Sequence, residues 1–159
     1  MIIGGGDIAS VLPNRKDLLF FASGVSNSQE TRESEYTREF ELLREQDQTK
    51  RLVYFSSLAI FYSDTRYTKH KKMMEGWVKR WFPKYTIIRL GNITFGKNPN
   101  TLINYFKDHR DAEIQDVYRY IADKEELLHW INLIPDWNCE INIPGRRMKV
   151  ADIVKEFIK

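Results

Sequence analysis

Residues 1–9 read Met1-Ile2-Ile3-Gly4-Gly5-Gly6-Asp7-Ile8-Ala9, an apolar run that leads into three glycines. The spacing Gly4-x-Gly6-x-x-Ala9 then opens a short amphipathic segment, which predicts a strand followed by a tight turn and a helix. Glycines at such a turn let the backbone approach a phosphate, and the free N–H groups of the helix start favour negative charge. The same residues also fit a plain strand-to-helix turn. A phosphate is compatible with Asp7 only if that side chain points away.

The rest of the chain continues the alternation of short apolar runs and amphipathic segments. Strands are predicted at 18–22, 51–57, 85–90 and 139–143, with an extended segment at 114–121. Helices are predicted at about 7–12, 33–48, 65–82, 99–106, 123–133 and 150–158. This alternation predicts one α/β domain over residues 1–159, built on a parallel sheet that helices cover on both faces.

Composition narrows the class of protein. The chain has 159 residues, 42% hydrophobic and 30% charged, which is typical of a globular domain rather than a disordered chain. A single cysteine, Cys139, excludes an internal disulfide, and His109 and His129 have no ligand-spaced partners, so no metal is expected. The net charge of +3 is too small to argue for nucleic acid. No apolar run reaches the roughly 18 residues of a membrane span, and we expect a cytoplasmic protein without a signal peptide.

Two further features carry candidate chemistry. Ser56 and Ser57 end the strand at 51–57, where the carboxyl ends of parallel strands face a ligand crevice. Tyr67 and Lys71 lie on one face of the next helix, and a nearby ammonium lowers the pKa of a phenol toward the range of acid/base chemistry. The alternative interpretations are a serine cap and a solvated basic helix surface. His70, between them, is expected to face solvent on another side of the helix.

In this order, the glycine turn, the strand-end serine and Tyr-x-x-x-Lys resemble the short-chain dehydrogenase/reductase superfamily. The similarity is greatest to its extended branch, the NAD-dependent epimerase/dehydratase family of nucleotide-sugar enzymes. Three further stretches add to it, namely 19–24, 88–93 and 141–145. The resemblance implies that Tyr67 is the acid/base, that Lys71 lowers its pKa and holds the nicotinamide ribose, and that Ser57 binds the substrate oxygen.

The resemblance also implies a Rossmann-like three-layer fold and an NAD or NADP cofactor. The residues that it assigns to the cofactor are Gly4, Gly5, Gly6, Ile8, Ala22, Ser23, Gly24, Lys71 and Asn92. The expected substrate is a sugar derivative, held in part by a compressed C-terminal region at about 93–159. The alternative is an inactive Rossmann-like binding or regulatory module associated with polysaccharide biosynthesis. Nucleic-acid binding through the basic helix is a weaker option.

The chain departs from the family between Gly6 and Leu18, where too few residues stand for the usual second and third strands. The sheet is therefore expected to be reduced and mostly parallel, lacking those two strands. The acidic residue about 20 positions after the glycines, which binds the ribose hydroxyls, has no place, so NAD and NADP are not distinguished. Arg15 and Lys16 could meet a 2′-phosphate but are expected to be plain turn residues. An exposed first strand predicts self-association or a covering segment.

Overall fold

The computed structural model describes residues 1–158, which form two sheets and six α-helices. In chain order the elements are β1 (Ile2–Ile3), α1 (Asp7–Val11), β2 (Leu18–Phe21), α2 (Glu33–Arg44), β3 (Arg51–Ser57), a 3₁₀ turn (Leu58–Phe61), α3 (Arg66–Trp81), β4 (Tyr85–Leu90), β5 (Asn92–Ile93), α4 (Leu102–Asp108), β6 (Tyr118–Ala122), α5 (Lys124–Asn132), β7 (Cys139–Ile143), β8 (Arg146–Lys149) and α6 (Val150–Phe157). No helix of residues 1–158 is both long and apolar enough to cross a membrane.

The larger sheet has five parallel strands in the order β1-β2-β3-β4-β7. β1 pairs with β2 directly, with Ile2 opposite Phe20 and Ile3 opposite Phe21. The expected loss of two strands is thus confirmed, because β1 forms the edge at which they would otherwise continue the sheet. β2 is buried along its whole length, as a strand covered on both faces must be.

Helices cover both faces of this sheet, in line with the prediction. α1 and α5 pack on one face against the cluster that contains Phe20 and Phe55, whose rings lie 6.4 Å apart. α2 and α3 pack on the other face against Phe21 and Tyr54, whose ring centroids are 6.0 Å apart. Alternate residues of β2 therefore point into opposite cores, which explains its unbroken apolar run.

The two connections that flank β2 have opposite hands. The strands β1, β2 and β3 follow one another in one direction across the sheet, yet α1 and α2 lie on opposite faces. About 98% of connections between parallel strands of one sheet are right-handed. With β2-α2-β3 taken as right-handed, β1-α1-β2 runs in the same direction with its helix on the other face, so it is left-handed. The chain leaves β1 and β2 toward different faces, and this divergence opens a crevice at the carboxyl ends of the strands.

The smaller sheet is built from β5, which follows β4 directly in the chain, and from β6 and β8. β5 pairs with β6 in parallel, and β8 pairs with β6 in antiparallel fashion. α4 and α6 pack around it through a separate apolar cluster that includes Ile103, Ile121 and Ile153. α4 begins three residues later than predicted, at Leu102, because the Thr101 side chain caps it by accepting from Asn104 N–H.

Candidate functional site

A cleft of about 760 Å³ opens at the carboxyl ends of β1 to β4. Its walls are the loops that follow these strands, together with the first turns of α3 and the segment after β5. The cleft brings together all but one of the residues predicted for catalysis and cofactor binding, namely Gly5, Gly6, Ile8, Ala22, Ser23, Gly24, Ser57, Tyr67, Lys71 and Asn92. Residues from five separate segments thus converge on one cavity.

The glycine turn divides into a structural part and an open part. Gly4 does not line the cleft; it has φ +126°, and a Cβ there would lie 2.3 Å from the carbonyl oxygen of Ala22. Glycine is therefore required at position 4 for the close approach of β1 to the end of β2. At Gly5 and Gly6 a Cβ would meet nothing within 4 Å. Their backbone faces open space beside the cleft, which is compatible with a phosphate.

Asp7 points toward the loop after β5. Its carboxylate accepts hydrogen bonds from the N–H groups of Lys97 and Asn98, both at 2.9 Å. Gly96 makes this contact possible, since it has φ +95° and a Cβ there would lie 2.1 Å from Asp7 Cγ. The acid at the start of α1 thus fastens a loop of the smaller sheet to the glycine turn.

Tyr67 and Lys71 lie on the cleft side of α3, as their spacing predicts. The helix begins with a capping box, in which the Thr65 side chain accepts from Thr68 N–H and the Thr68 side chain accepts from Thr65 N–H. Tyr67 stands in the first turn, and the Nζ atom of Lys71 lies 5.5 Å from the centre of its ring. Only 2% of Lys71 is exposed.

A buried carboxylate, Glu39 of α2, holds Lys71 in this position. Its Oε1 atom lies 3.3 Å from Lys71 Nζ, and it accepts a hydrogen bond from Val25 N–H at 2.7 Å. The hydroxyl of Tyr54 also donates to Glu39. Burial alone would raise the pKa of Glu39, yet Lys71, His70, Tyr54 and Val25 N–H together hold it well below its ordinary value. Burial likewise opposes the charge of Lys71, but Glu39 raises the pKa of the ammonium above its usual value.

The expectation for His70 was wrong. The ring is buried, its Nε2 atom lies 3.2 Å from Glu39 Oε1, and it packs edge-on against Tyr36 with ring centres 4.7 Å apart. One helical turn carries side chains at 100° intervals, so His70 and Lys71 are neighbours around the helix and both reach the same carboxylate. The sequence predicted the Tyr67–Lys71 pair and missed the acid that both His70 and Lys71 contact.

Ser57 caps a turn, which is one of its two predicted roles, and it also lies at the cleft. Its Oγ atom accepts from Ala59 N–H at 3.1 Å and so caps the 3₁₀ turn, while the residue lines the cleft. Because this contact uses an oxygen lone pair, the hydroxyl hydrogen is still available for a ligand. Ser56 has a different function, since its hydroxyl donates to the buried Glu75 at 2.6 Å.

Arg15 is placed as expected, whereas Arg38 was not predicted to lie at the cleft. Arg15 lies at the amino ends of the strands, where it pairs with Asp17 at 2.6 Å, so it is a turn residue and far from the cleft. Arg38 of α2 was not singled out, yet it lines the cleft, and its Nη1 atom donates to the carbonyl oxygen of Ser23 at 2.8 Å. Nothing in the charged run at 33–48 distinguishes Arg38 from its neighbours. Within residues 1–158 no group of three or more His, Cys, Asp or Glu side chains could hold a metal ion.

No protein-family model matches the chain, and no curated protein matches it by sequence. Solved structures do match. The Bordetella bronchiseptica enzyme WbmG in complex with NAD and UDP has a TM-score of 0.66 and 13% sequence identity, over 89% of this chain and 56% of WbmG. The dTDP-glucose 4,6-dehydratase of Bacillus anthracis, in complex with NAD, has a TM-score of 0.64 and 12% identity, over 89% and 56% of the two chains.

The dTDP-4-dehydrorhamnose reductase of the same organism, in complex with NADP, has a TM-score of 0.61 and 14% identity, over 88% of this chain and 62% of the reductase. The chain thus spans about half to three fifths of the length of these enzymes. At such low identity the likeness concerns the fold. It confirms the predicted fold: this is a shortened Rossmann-like fold similar to that of these three enzymes.

Proposed function

We propose that the protein is an NAD(P)-dependent oxidoreductase or epimerase/dehydratase that acts on a hydroxyl or carbonyl group of a sugar derivative. The observation that carries the proposal is the position of Tyr67, Lys71 and Ser57 around the cleft that also contains the open turn of Gly5 and Gly6. The fold likeness to enzymes bound to NAD or NADP supports it.

The side chains divide the chemistry among them. Tyr67 exchanges a proton with the substrate oxygen, and the Nζ atom of Lys71 lies 5.5 Å from the centre of its ring. Glu39 keeps Lys71 charged and in place. Ser57 donates its free hydroxyl hydrogen to the same substrate oxygen. The nicotinamide ring, when bound, supplies or accepts the hydride.

The residues around the cleft fit the cofactor in part. Gly5 and Gly6 present backbone without side chains, and Ser23 and Gly24 follow β2 at the same edge. Asn92 begins β5 with its amide fixed, since Nδ2 donates to the carbonyl oxygen of Tyr120 at 3.0 Å. Gly5 and Gly6 would hold a phosphate of the cofactor, Ser23 and Gly24 a ribose, and Asn92 the nicotinamide ring.

The proposed substrate is a nucleotide sugar of the kind used in polysaccharide biosynthesis, with residues 93–159 forming its side of the cleft. Arg119 of β6 reaches the cleft from this region. The proposed enzyme is cytoplasmic. We also expect it to self-associate, because β1 has an unpaired edge among the described residues. Sedimentation as a monomer at micromolar concentration would contradict self-association.

The proposal is tested by titrating the protein with NADH and NADPH while following their fluorescence. Binding is expected at submillimolar concentration, and its absence at millimolar cofactor would contradict the proposal. Tyr67→Phe is expected to lower turnover by about 10² to 10⁴-fold, because the proton donor is lost, with cofactor affinity unchanged. Tyr105→Phe is the matched control, since Tyr105 is exposed on α4 and does not line the cleft.

The second candidate is a module that binds the nucleotide without catalysing hydride transfer. It is favoured by the contacts of Lys71, whose ammonium is already paired with Glu39 and lies 3.5 Å from the hydroxyl of Tyr54. Cofactor binding with no hydride transfer to any of a panel of nucleotide sugars would support this candidate over the enzyme.

A further inference from the structure

The crevice has one complete side and one reduced side. Dinucleotides bind across such a crevice when each side is built from its own set of strands and helices, one for each mononucleotide half. Here β2, β3, β4 and β7 continue the sheet on one side, whereas β1 is the last strand on the other. The molecule thus contains one mononucleotide-binding half and only the first strand of the second.

The connection from α1 to β2 adds nothing to the reduced side. α1 has five residues, and residues 12–17 run directly to the amino end of β2. There Arg15, Lys16 and Asp17 lie beside Lys50 and Lys84, at the opposite end of the strands from the cleft. Within residues 1–158 no strand therefore lies beyond β1.

The reduced side also lacks the acid that recognises an adenosine ribose. That carboxylate is expected about 20 residues after the glycines, and residues 23–29 of this chain are all uncharged. The acid at this end of the cleft is Asp7, whose oxygens already accept from Lys97 and Asn98 N–H. Among residues 1–158, the cleft lining therefore has no carboxylate free to accept from a ribose.

The complete side, by contrast, holds a full set of groups for one mononucleotide. Lys71, Ser57 and Asn92 surround the region assigned to the nicotinamide and its ribose. Arg38 stands beside Ser23 and uses Nη1 for both recorded bonds to that residue. Its Nε atom lies 3.4 Å from Glu35 Oε1, so Nη2 is the donor that faces a single phosphate in this proposal.

We infer that the cleft binds the nicotinamide mononucleotide half of the cofactor and makes no adenosine-specific contact, so that the mononucleotide binds as tightly as the dinucleotide. This inference rests on the proposed function. It explains why the chain can lack the second and third strands and still keep the residues of the catalytic side. It also predicts that NADH and NADPH bind equally, because the 2′-phosphate belongs to the half that has no site.

The test is a set of titrations of the full chain with NADH, NADPH, reduced nicotinamide mononucleotide and AMP, which is the adenosine half alone. The three reduced nicotinamides are expected to have dissociation constants within about fivefold of one another, and AMP is expected to compete at least about 30-fold more weakly. NADH binding more than about fivefold tighter than the mononucleotide, or effective competition by AMP, would overturn the inference and leave the proposed function standing. Absence of binding by all three reduced nicotinamides would overturn both.

A variant locates the bound phosphate. Arg38→Gln is expected to weaken the mononucleotide and NADH by the same factor, about tenfold, because both place one phosphate near this guanidinium. Arg44→Gln is the control, since Arg44 is exposed at the end of the same helix and does not line the cleft. Weakening of NADH alone would overturn the inference, because it would assign Arg38 to the adenosine half.

Discussion

Helix α3 carries two buried ion pairs, one turn apart, that differ in what they hold. Lys71 pairs with Glu39 of α2 at 3.3 Å, and Glu75 pairs with Arg89 of β4 at 2.6 Å. All four residues are at most 9% exposed. In both pairs a carboxylate and a cation are removed from water, which is tolerated only when each is hydrogen-bonded and paired.

The difference lies in where the two pairs point. Lys71 lines the cleft, and Glu39 lies behind it. Glu39 also accepts a hydrogen bond from Val25 N–H in the loop after β2. Neither residue of the Glu75–Arg89 pair lines the cleft. Glu75 also accepts from Ser56 of β3, and Arg89 contacts Glu140 of β7, so the pair ties α3 to the three strands β3, β4 and β7. Similar pairs on one helix therefore fix an ammonium that lines the cleft in one case and fix the helix itself in the other.

The largest effect is expected for Lys71→Met, which should change both stability and ligand binding. The substitution leaves the carboxylate of Glu39 buried without its cation, and we expect the free energy of unfolding to fall by about 3–5 kcal/mol. NADH affinity of the folded protein should fall by about tenfold, because the cleft loses a buried charge. Urea unfolding and fluorescence titration measure the two effects.

The neighbouring Lys72→Met provides the control for this substitution. Lys72 is exposed, and its replacement should change the free energy of unfolding by less than about 0.5 kcal/mol. Wild-type affinity in Lys71→Met would show that Lys71 is structural only, and the distinction between the two pairs would then fail.

Glu75→Gln should lower stability without changing ligand binding. The guanidinium of Arg89 loses its bidentate partner and keeps only Glu140 and Asn142. We expect a loss of about 3 kcal/mol in the free energy of unfolding and unchanged NADH affinity in the folded fraction. A drop in affinity comparable to that of Lys71→Met would mean that both pairs act on the cleft.

The sequence predicted the strands and helices that carry the two ion pairs better than it predicted the ion pairs themselves. Strand and helix positions, the Tyr67–Lys71 spacing and the cap at Asp123, which accepts from Glu126 N–H at 2.8 Å, follow from local patterns. Glu39 could not be predicted, because it is one of several carboxylates in a charged helix, and its burial depends on the packing of α2 against α3. Contacts between distant parts of the chain, such as Asp7 with Lys97, leave no local pattern.

The pH dependence of stability should also report on the Lys71–Glu39 pair. The folded pKa of Glu39 lies below its ordinary value of 4.5, so its contribution is present above pH 4.5 and is lost as pH falls through the folded pKa. The pKa of Lys71 is raised, so its contribution is present below its ordinary value of 10.5 and is lost only as pH rises through the folded pKa. The pair therefore contributes a constant amount between these limits.

Urea unfolding below pH 4.5 tests this expectation. The free energy of unfolding of the wild type should decrease as the pH falls, and Glu39→Gln should show a flatter profile over the same range. Glu41→Gln is the control, because Glu41 is on the same helix but half exposed. Equal slopes in wild type and Glu39→Gln would contradict the depressed pKa of Glu39.

The smallest effect is expected for Glu140→Gln, at the exposed end of the network that contains Glu75 and Arg89. Glu140 contacts Lys79 at 2.6 Å and Arg89 at 2.7 Å, but 37% of its side chain is exposed. Water competes for an exposed carboxylate, and Arg89 retains Glu75, so the loss should be below about 1 kcal/mol. Added salt should reduce it further, whereas the loss in Glu75→Gln should persist. A loss of stability in Glu140→Gln as large as that in Glu75→Gln would mean that burial does not determine how much each residue of this network contributes to stability. The large loss expected for Lys71→Met, which rests on the burial of Glu39 and Lys71, would then lose its basis.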